Sequence, residues 1–387
     1  MADAQLYFGW RTALLGAAIL QCLLLAGALA RGTENRTSSR FLAASLVVIA
    51  GLLTPYAIGF AGFYDRFRWL TFAPFALPLA FGPLLYGYAH ALADGTTPRR
   101  LRLHLSPAIA QFVYFAICFL LPGKAKWDWY VGGHRAVIAP VLDVLGLVSL
   151  AAYALAIGKL LRRQRIRLAD QRSDDDRFSA AWLGRVLMVI LVGLGVEVGF
   201  WLWSAVAGGI DFFQETGMYL ALAAVGVYLG VAGWRQAALP APLAASPEPA
   251  DAEHEAVRAP DWPTLALEIA DRTREAAWWR EPDLSLPRLA RLLGTNSGRL
   301  SRAINLGLGM NFSSFVNGLR AEAVASALKA GSQSDLLDLA LEMGFASKAS
   351  FNRAFLARFG VSPSQFRRQV SNPAFSDLDA EMRRTAI

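Results

Sequence analysis

The sequence predicts an all-α protein in which a seven-helix transmembrane bundle is joined by a flexible linker to two helix-turn-helix units. Three observations predict this fold class. Long apolar segments fill the first 236 residues, a stretch rich in proline and alanine follows, and one helical pattern occurs twice near the C terminus. The predicted boundaries are 1–236 for the membrane domain, 237–261 for the linker, 262–370 for the paired units and 371–387 for a tail.

The membrane domain is predicted from composition and from segment length. Of the 387 residues, 55% are hydrophobic and the mean hydropathy is +0.36, which is high for an ordinary soluble protein. Most of the apolar segments are long enough to cross a hydrocarbon core of ~30 Å at ~1.5 Å per helical residue. The seven predicted spans are Thr12–Ala30, Phe41–Phe63, Trp69–Ala93, Leu105–Leu121, Ala136–Gly158, Val186–Ala207 and Gly217–Trp234.

Two of these spans depart from a simple apolar helix. The third contains Pro74, Pro78 and Pro83, which predicts a kinked helix. The fourth is the weakest prediction because it is the shortest and includes Pro107 and Gln111.

The distribution of basic residues predicts the orientation. With the N terminus outside, the internal segments hold fifteen Lys and Arg residues and the external ones hold six. This bias follows the positive-inside rule. An odd number of spans then places the C-terminal units on the inner side of the membrane.

Four residues in the membrane half are candidates for sensing a signal, and each has a plainer alternative. Asp143 and Glu197 lie inside apolar spans, where acids usually face a cavity or a partner. They either take part in sensing or form hydrogen bonds between helices. Trp127 and Trp129, in the loop KWDWYVGGHR, form either a ligand lid or an aromatic belt at the membrane surface.

No motif in the sequence indicates a cofactor, a metal or an enzyme. The two cysteines, Cys22 and Cys118, lie in apolar runs and lack the spacing of a disulfide framework or zinc site. No Gly-rich phosphate loop or nucleophile elbow is present. Residues 237–261 are rich in proline and alanine, which predicts an extended, mobile tether.

The repeated pattern near the C terminus predicts two helix-turn-helix units. The first helix of each unit has apolar residues at i, i+3, i+4 and i+7, and a glycine follows where a left-handed residue would end the helix. The corresponding positions are Leu286, Leu289, Ala290, Leu293 and Gly294 in the first unit, and Leu336, Leu339, Ala340, Met343 and Gly344 in the second.

The second helix of each unit carries polar residues suited to reading DNA. Arg299, Ser301, Arg302 and Asn305 share one face in the first unit, and Lys348, Asn352 and Arg353 do so in the second. Such side chains supply the donors and acceptors that recognise base edges in the major groove. Residues 262–370 contain 14 Lys and Arg against 9 Asp and Glu, so the domain attracts phosphate.

This region resembles the DNA-binding domain of the AraC/XylS family of bacterial transcriptional regulators. The resemblance rests on LARLLG, LSRAIN, the pattern Asn311, Phe312, Phe315, Asn317 and Arg320, and then GFASKASFNRAF and GVSPSQFR. It covers about a quarter of the chain. LSRAIN followed by NFSSFVNGLR resembles the branch of the family whose members carry multi-span membrane domains.

The resemblance implies that both recognition helices enter successive major grooves. It assigns base reading to Gly298, Ser301 and Arg302 in the first unit and to Lys348, Ala349, Asn352 and Arg353 in the second. Ala349 departs from the serine usual in this branch, so this position lacks the hydroxyl that the resemblance would assign to a polar DNA contact.

The function expected from the sequence is therefore that of a membrane-anchored regulator whose promoter binding responds to a signal of unknown identity. Its partners would be double-stranded DNA, the lipid bilayer and RNA polymerase, with a homodimer left open. The alternative is a membrane transporter or receptor domain whose fused DNA-binding domain only reports its state.

Overall fold

The structure is a computed structural model, and it describes residues 6–32, 35–173, 216–237 and 261–371, with isolated positions between 183 and 203. The described residues form helices joined by turns, together with one isolated antiparallel bridge between Arg172 and Ser285. The all-helical prediction is confirmed over these residues. The chain divides into two compact units, one of residues 1–162 with 180–245 and the other of residues 163–179 with 246–387.

The first unit contains the apolar helices. Within the described residues these are α1 (Trp10–Arg31), α2 (Arg36–Phe60), α3 (Phe63–Arg66), α4 (Pro78–Asp94), α5 (Leu101–Phe119), α6 (Gly123–Trp129), α7 (Ala139–Gln171) and α8 (Thr216–Ala237). A π-helix, Tyr130–Ile138, joins α6 to α7 without a break in the helical chain. The last turns of α7, from residue 163, group with the second unit.

Helices α1, α2 and α8 pack closely because α8 presents glycines to its neighbours. A Cβ atom added at Gly226 would lie 2.9 Å from Ile49 Cγ2, and one added at Gly230 would lie 2.6 Å from Leu25 Cδ1. These glycines are four residues apart, the small-xxx-small spacing that lets membrane helices approach closely.

Among the described residues, five helical segments are long and apolar enough to cross a membrane. They are Trp10–Arg31, Arg36–Phe60, Leu101–Phe119, the continuous Gly123–Gln171 and Thr216–Ala237. The fourth predicted span, which was the weakest from sequence, is among them. Only half of the residues of the sixth predicted span, Val186–Ala207, are among the described residues, so the count of seven stays a prediction.

The third predicted span differs from its expected form. Instead of one kinked helix from Trp69, a 3₁₀ turn covers Arg68–Leu70 and α4 begins only at Pro78. Proline lacks an N–H and fixes φ, so Pro78 is well suited to the first helical position, and Pro83 is accommodated further along α4. The resulting helix has 17 residues.

The second compact unit contains seven further α-helices among its described residues. They are α9 (Trp262–Glu275), α10 (Leu286–Leu293), α11 (Ser297–Arg302), α12 (Phe312–Lys329), α13 (Leu336–Glu342), α14 (Lys348–Phe359) and α15 (Pro363–Ser371). One hydrophobic core joins α9 to α14, and α12 runs through it with Phe312, Val316 and Val324 buried. Both predicted helix-turn-helix units therefore share a single core around this connecting helix.

Candidate nucleic-acid interface

The first helix-turn-helix unit consists of α10 and α11. Leu286, Leu289, Ala290 and Leu293 are buried, as their spacing predicts. Gly294 ends α10 with φ +71°, a backbone conformation that glycine adopts without a Cβ clash. The predicted helix, face and turn are thus confirmed for this unit.

The recognition helix of the first unit is short and continues as a π-helix. The side chain of Asn296 caps α11 by accepting a hydrogen bond from the Arg299 N–H at 2.7 Å. After Arg302 the backbone changes to a π-helix over Ala303–Gly307. Gly307 faces the Trp262 carbonyl of α9 so closely that no Cβ atom would fit. The end of this recognition helix is therefore shaped by its packing against α9.

The predicted DNA-reading residues of the first unit lie on the outer side of α11. Arg302 is exposed, and Gly298, Arg299 and Ser301 are partly exposed. The Arg302 guanidinium carbon lies 6.0 Å from the centre of the Trp262 ring, close enough for a cation–π contact. Leu300 and Ile304 point into the core.

The second helix-turn-helix unit consists of α13 and α14. Gly344 ends α13 with φ +87°, and Ser347 caps α14 by accepting a hydrogen bond from the Ser350 N–H at 3.2 Å. Helix α14 is a regular α-helix of 12 residues. Its inner side carries Phe351 and Phe355, both fully buried.

The predicted DNA-reading residues of the second unit all lie on the exposed side of α14. Lys348, Ala349, Asn352 and Arg353 are exposed. A capping box begins the next helix, since the Gln365 side chain accepts from the Ser362 N–H at 3.0 Å and the Ser362 hydroxyl accepts from the Gln365 N–H at 3.3 Å. This box fixes the start of α15, whose Phe366 packs on Phe355 and Phe359.

A buried arginine joins the two units. Arg320 on α12 is completely buried and donates hydrogen bonds to the carbonyls of Trp279 at 2.7 Å and Glu281 at 2.6 Å. It also donates to Asn317 Oδ1 at 2.9 Å. Its guanidinium lies 5.9 Å from the ring centre of Phe345, just after the turn of the second unit.

In the sequence, Asn317 and Arg320 match the family pattern, but no role is predicted for them. The available signal was a pair of polar residues three positions apart within the long apolar stripe of the connecting helix. Such a pair on a buried face indicates a buried hydrogen-bond network.

Three of the four candidate sensing residues in the membrane half are described, and Glu197 lies outside the described residues. Asp143 is exposed on α7. The Arg68 guanidinium carbon lies over the Trp127 ring, 5.1 Å from its centre. The indole N–H of Trp129 donates to the Tyr114 hydroxyl at 3.1 Å.

The Tyr114 hydroxyl also meets His134 Nδ1 at 2.9 Å. His134 is surrounded by the rings of Phe72, Phe115 and Tyr130. Trp129 is therefore joined by a hydrogen bond to this aromatic cluster, although its own side chain is exposed.

Comparisons with known proteins agree with this geometry. Residues 289–369 match a family model described as a helix-turn-helix domain. An uncharacterized HTH-type transcriptional regulator from Haemophilus influenzae is 34% identical over 89 residues, which are 23% of this chain and 30% of that protein. The chain thus spans less than a third of the length of this curated relative.

A search of solved structures gave a match to the C-terminal domain of AraT, a response regulator from Geobacillus stearothermophilus. The match is 30% identical, covers 26% of this chain and 84% of that one, and has a TM-score of 0.24. The family match and the two helix-turn-helix units described above show that the C-terminal part of this chain contains an AraC-type helix-turn-helix domain, similar to that of HTH-type transcriptional regulators.

Proposed function

We propose that this chain is a membrane-anchored transcriptional regulator that binds promoters sequence-specifically under the control of a signal sensed in or at the membrane. The observation that carries the proposal is the pairing of two helix-turn-helix units in one core, each with exposed polar residues on its second helix. A regulator of this kind acts by binding and is not an enzyme.

The proposed DNA contacts follow from exposure and chemistry. Arg302 and Arg353 can each present a fork of donors to the O6 and N7 atoms of guanine, and Asn352 can pair with adenine. Lys348, Arg299 and Ser301 are suited to phosphates or base edges. Gly298 and Ala349 lack polar side chains, so they would allow close approach of the helix to the DNA.

The membrane part of the proposal rests on the five apolar helices and on the basic residues between predicted spans. The N terminus would lie outside the bacterial inner membrane and the DNA-binding domain in the cytoplasm, tethered by the 237–261 linker. The proposed partners are promoter DNA, lipid, RNA polymerase and a second copy of the chain.

Signal reception is proposed for the membrane half. Trp127 and Trp129 contribute to a cluster of aromatic and polar side chains with Tyr114 and His134. Asp143 and Glu197 would place acidic groups within the spans, where a change of charge or partner could bias helix packing.

DNA selection with the full chain in lipid nanodiscs tests the main claim. A random duplex library is bound at fixed salt, and the recovered sequences are compared with the input. We expect enrichment of a site with two short half-sites about one helical turn apart, and affinity that falls steeply with salt. Recovery of unselected sequences at every salt concentration would refute sequence-specific binding.

Reporter fusions test the orientation separately. A reporter that is active only in the cytoplasm should work after Arg235, and one that is active only outside should work after Trp129. The reverse pattern would place the DNA-binding domain on the wrong side of the membrane for chromosomal DNA.

A further inference from the structure

The compact unit that contains the helix-turn-helix domain also includes residues 163–173, which lie far from the rest of that unit in sequence. Helix α7 ends at Gln171, and Ser173 is buried against α12 and the start of the first helix-turn-helix unit. Arg172 pairs with Ser285 in the isolated antiparallel bridge. Residues 163–173 thus belong to the C-terminal unit although two predicted spans and the linker separate them from it in sequence.

Both the backbone and the side chain of Ser173 are fully engaged. Its N–H donates to the Leu284 carbonyl at 3.2 Å, and its hydroxyl donates to the same carbonyl at 2.9 Å. Its carbonyl accepts from the Asn317 amide at 2.9 Å, and its hydroxyl accepts from Arg320 Nη2 at 3.1 Å. Four hydrogen bonds on one buried serine define a specific docking site.

These bonds connect the start of the first unit to the connecting helix. Leu284 and Ser285 immediately precede α10, whereas Asn317 and Arg320 lie on α12. Arg320 also holds the Trp279 and Glu281 carbonyls of the loop before α10. Loss of the serine removes an acceptor from a buried guanidinium, and leaving such a donor unsatisfied is costly.

The second unit does not share these bonds. The second unit contacts Arg320 through the Phe345 ring. By contrast, Ser173 bonds to Leu284 before α10 and to Asn317 and Arg320 on α12. Undocking of Ser173 should therefore loosen the first unit more than the second.

The docked residues also follow α7 directly in the chain. A shift of α7 by the rise of one residue, about 1.5 Å, would lengthen these bonds beyond hydrogen-bonding range. Small movements of that helix are therefore sufficient to dock or undock the segment.

We propose that Arg172 and Ser173 form a coupling segment through which α7 controls the first helix-turn-helix unit. When docked, the segment holds the first recognition helix in register with the second, and both half-sites are read. When undocked, only the second unit reads DNA with full selectivity. The proposal rests on the proposed function, because it names the regulation of the same DNA site.

Disulfide trapping in membranes tests docking without any DNA. In a Cys22→Ala/Cys118→Ala background, Arg172→Cys/Ser285→Cys places thiols at paired antiparallel positions, where Cα atoms lie about 4.5–5.5 Å apart, within disulfide range. Copper phenanthroline with oxygen should link this pair, as read by mass spectrometry. The matched pair Arg172→Cys/Ser314→Cys, with Ser314 exposed on α12, should stay reduced. Equal linkage of both pairs, or none in the test pair, would overturn docking.

DNA selection with the full chain then tests coupling. Ser173→Ala should weaken binding to the parent's selected site by about tenfold, which is the effect of losing one charged hydrogen bond. The loss should fall on the first half-site, and Ser314→Ala should bind like the parent. An Arg172→Cys/Ser285→Cys variant that also carries Ser173→Ala should regain the lost affinity when the disulfide is formed. The same variant should lose that affinity again when the disulfide is reduced.

The outcomes separate the two proposals. If the parent enriches a site but Ser173→Ala reads both half-sites unchanged, the coupling is wrong and the regulator proposal stands. If the parent enriches nothing while the disulfide forms, the function fails although the docked segment exists.

Discussion

The two helix-turn-helix units share a pattern and a core, yet they are held together differently. The second has a regular recognition helix of 12 residues on an aromatic cluster of Phe345, Phe351, Phe355, Phe359 and Phe366. The first has a six-residue recognition helix that passes into a π-helix, and its own buried side chains, Leu300, Ala303 and Ile304, are aliphatic. It also depends on α9 through Gly307 and on Ser173.

Two units with the same sequence pattern can therefore depend on different parts of the chain for their support. The second rests on an aromatic cluster drawn from residues 345–366, close to it in the chain, although its turn at Gly344 also packs on the Arg280 carbonyl. The first is positioned by groups that lie far from it in sequence, and it is therefore the unit that the rest of the protein can influence. Matched substitutions at corresponding positions of the two units test this conclusion.

The largest expected effects come from the two cores. Phe355→Ala should destabilise the second unit by about 3–5 kcal/mol, and Ile304→Ala should destabilise the first by about 2–5 kcal/mol. Both side chains are completely buried, and Phe355 contacts three other rings. Hydrogen exchange of the full chain in nanodiscs would report the opening free energy of each unit.

Exposed leucines on the same elements serve as controls. Leu356→Ala on α14 and Leu306→Ala on the π-helix should change exchange little, because both side chains are more than half exposed. A loss in the Ile304 variant that exceeds the loss in the Phe355 variant would contradict a stronger local core in the second unit.

The turn glycines provide a closer comparison. Both have positive φ, so alanine at either position should cost about 1–2 kcal/mol from backbone strain alone. A Cβ at Gly294 meets open space, whereas one at Gly344 would collide with the Arg280 carbonyl. Gly344→Ala should therefore be clearly more destabilising than Gly294→Ala by hydrogen exchange. Equal losses would mean that the loop at Arg280 moves away from the added Cβ atom at little cost in free energy.

The recognition arginines compare the units in DNA binding. Arg353→Ala and Arg302→Ala should each cost about 1–3 kcal/mol on the selected site and relax the preference at one half-site. We expect the second unit to matter at least as much. Arg274→Ala, an exposed arginine of α9 that pairs with Asp271, is the control. Equal losses on selected and random DNA would assign both arginines to phosphates.

The features predicted correctly from sequence are those that depend on neighbours in the chain. The buried face of α10 follows from the spacing of its apolar residues, and the turn glycine at 294 follows from the need for a left-handed residue after the helix. Polar residues on the exposed sides of α11 and α14 were predictable for the same reason.

The features that sequence analysis missed are set by distant contacts. Ser173 and Asn317 are 144 positions apart, and no local pattern indicates that they meet. The π-helix after Arg302 forms where α9 packs at Gly307, and α4 starts at Pro78 because the chain from Trp69 follows a 3₁₀ turn. Whether the named side chains read DNA or sense a signal depends on partners and stays a prediction.

The smallest expected difference concerns the caps of the two recognition helices. Asn296→Ala and Ser347→Ala each remove the side chain that accepts the first free backbone N–H, which typically costs about 1 kcal/mol. The Asn296 bond is shorter, at 2.7 Å against 3.2 Å, and it supports a helix of six residues instead of 12. Because a short helix has fewer internal bonds to share the loss, the first unit should fray more. Exchange rates of the Arg299 and Ser350 amides would measure this directly, with Asn296→Asp and Ser347→Thr as variants that retain a cap. Greater fraying at Ser350 would mean that the first recognition helix is held by its packing on α9 and not by its cap.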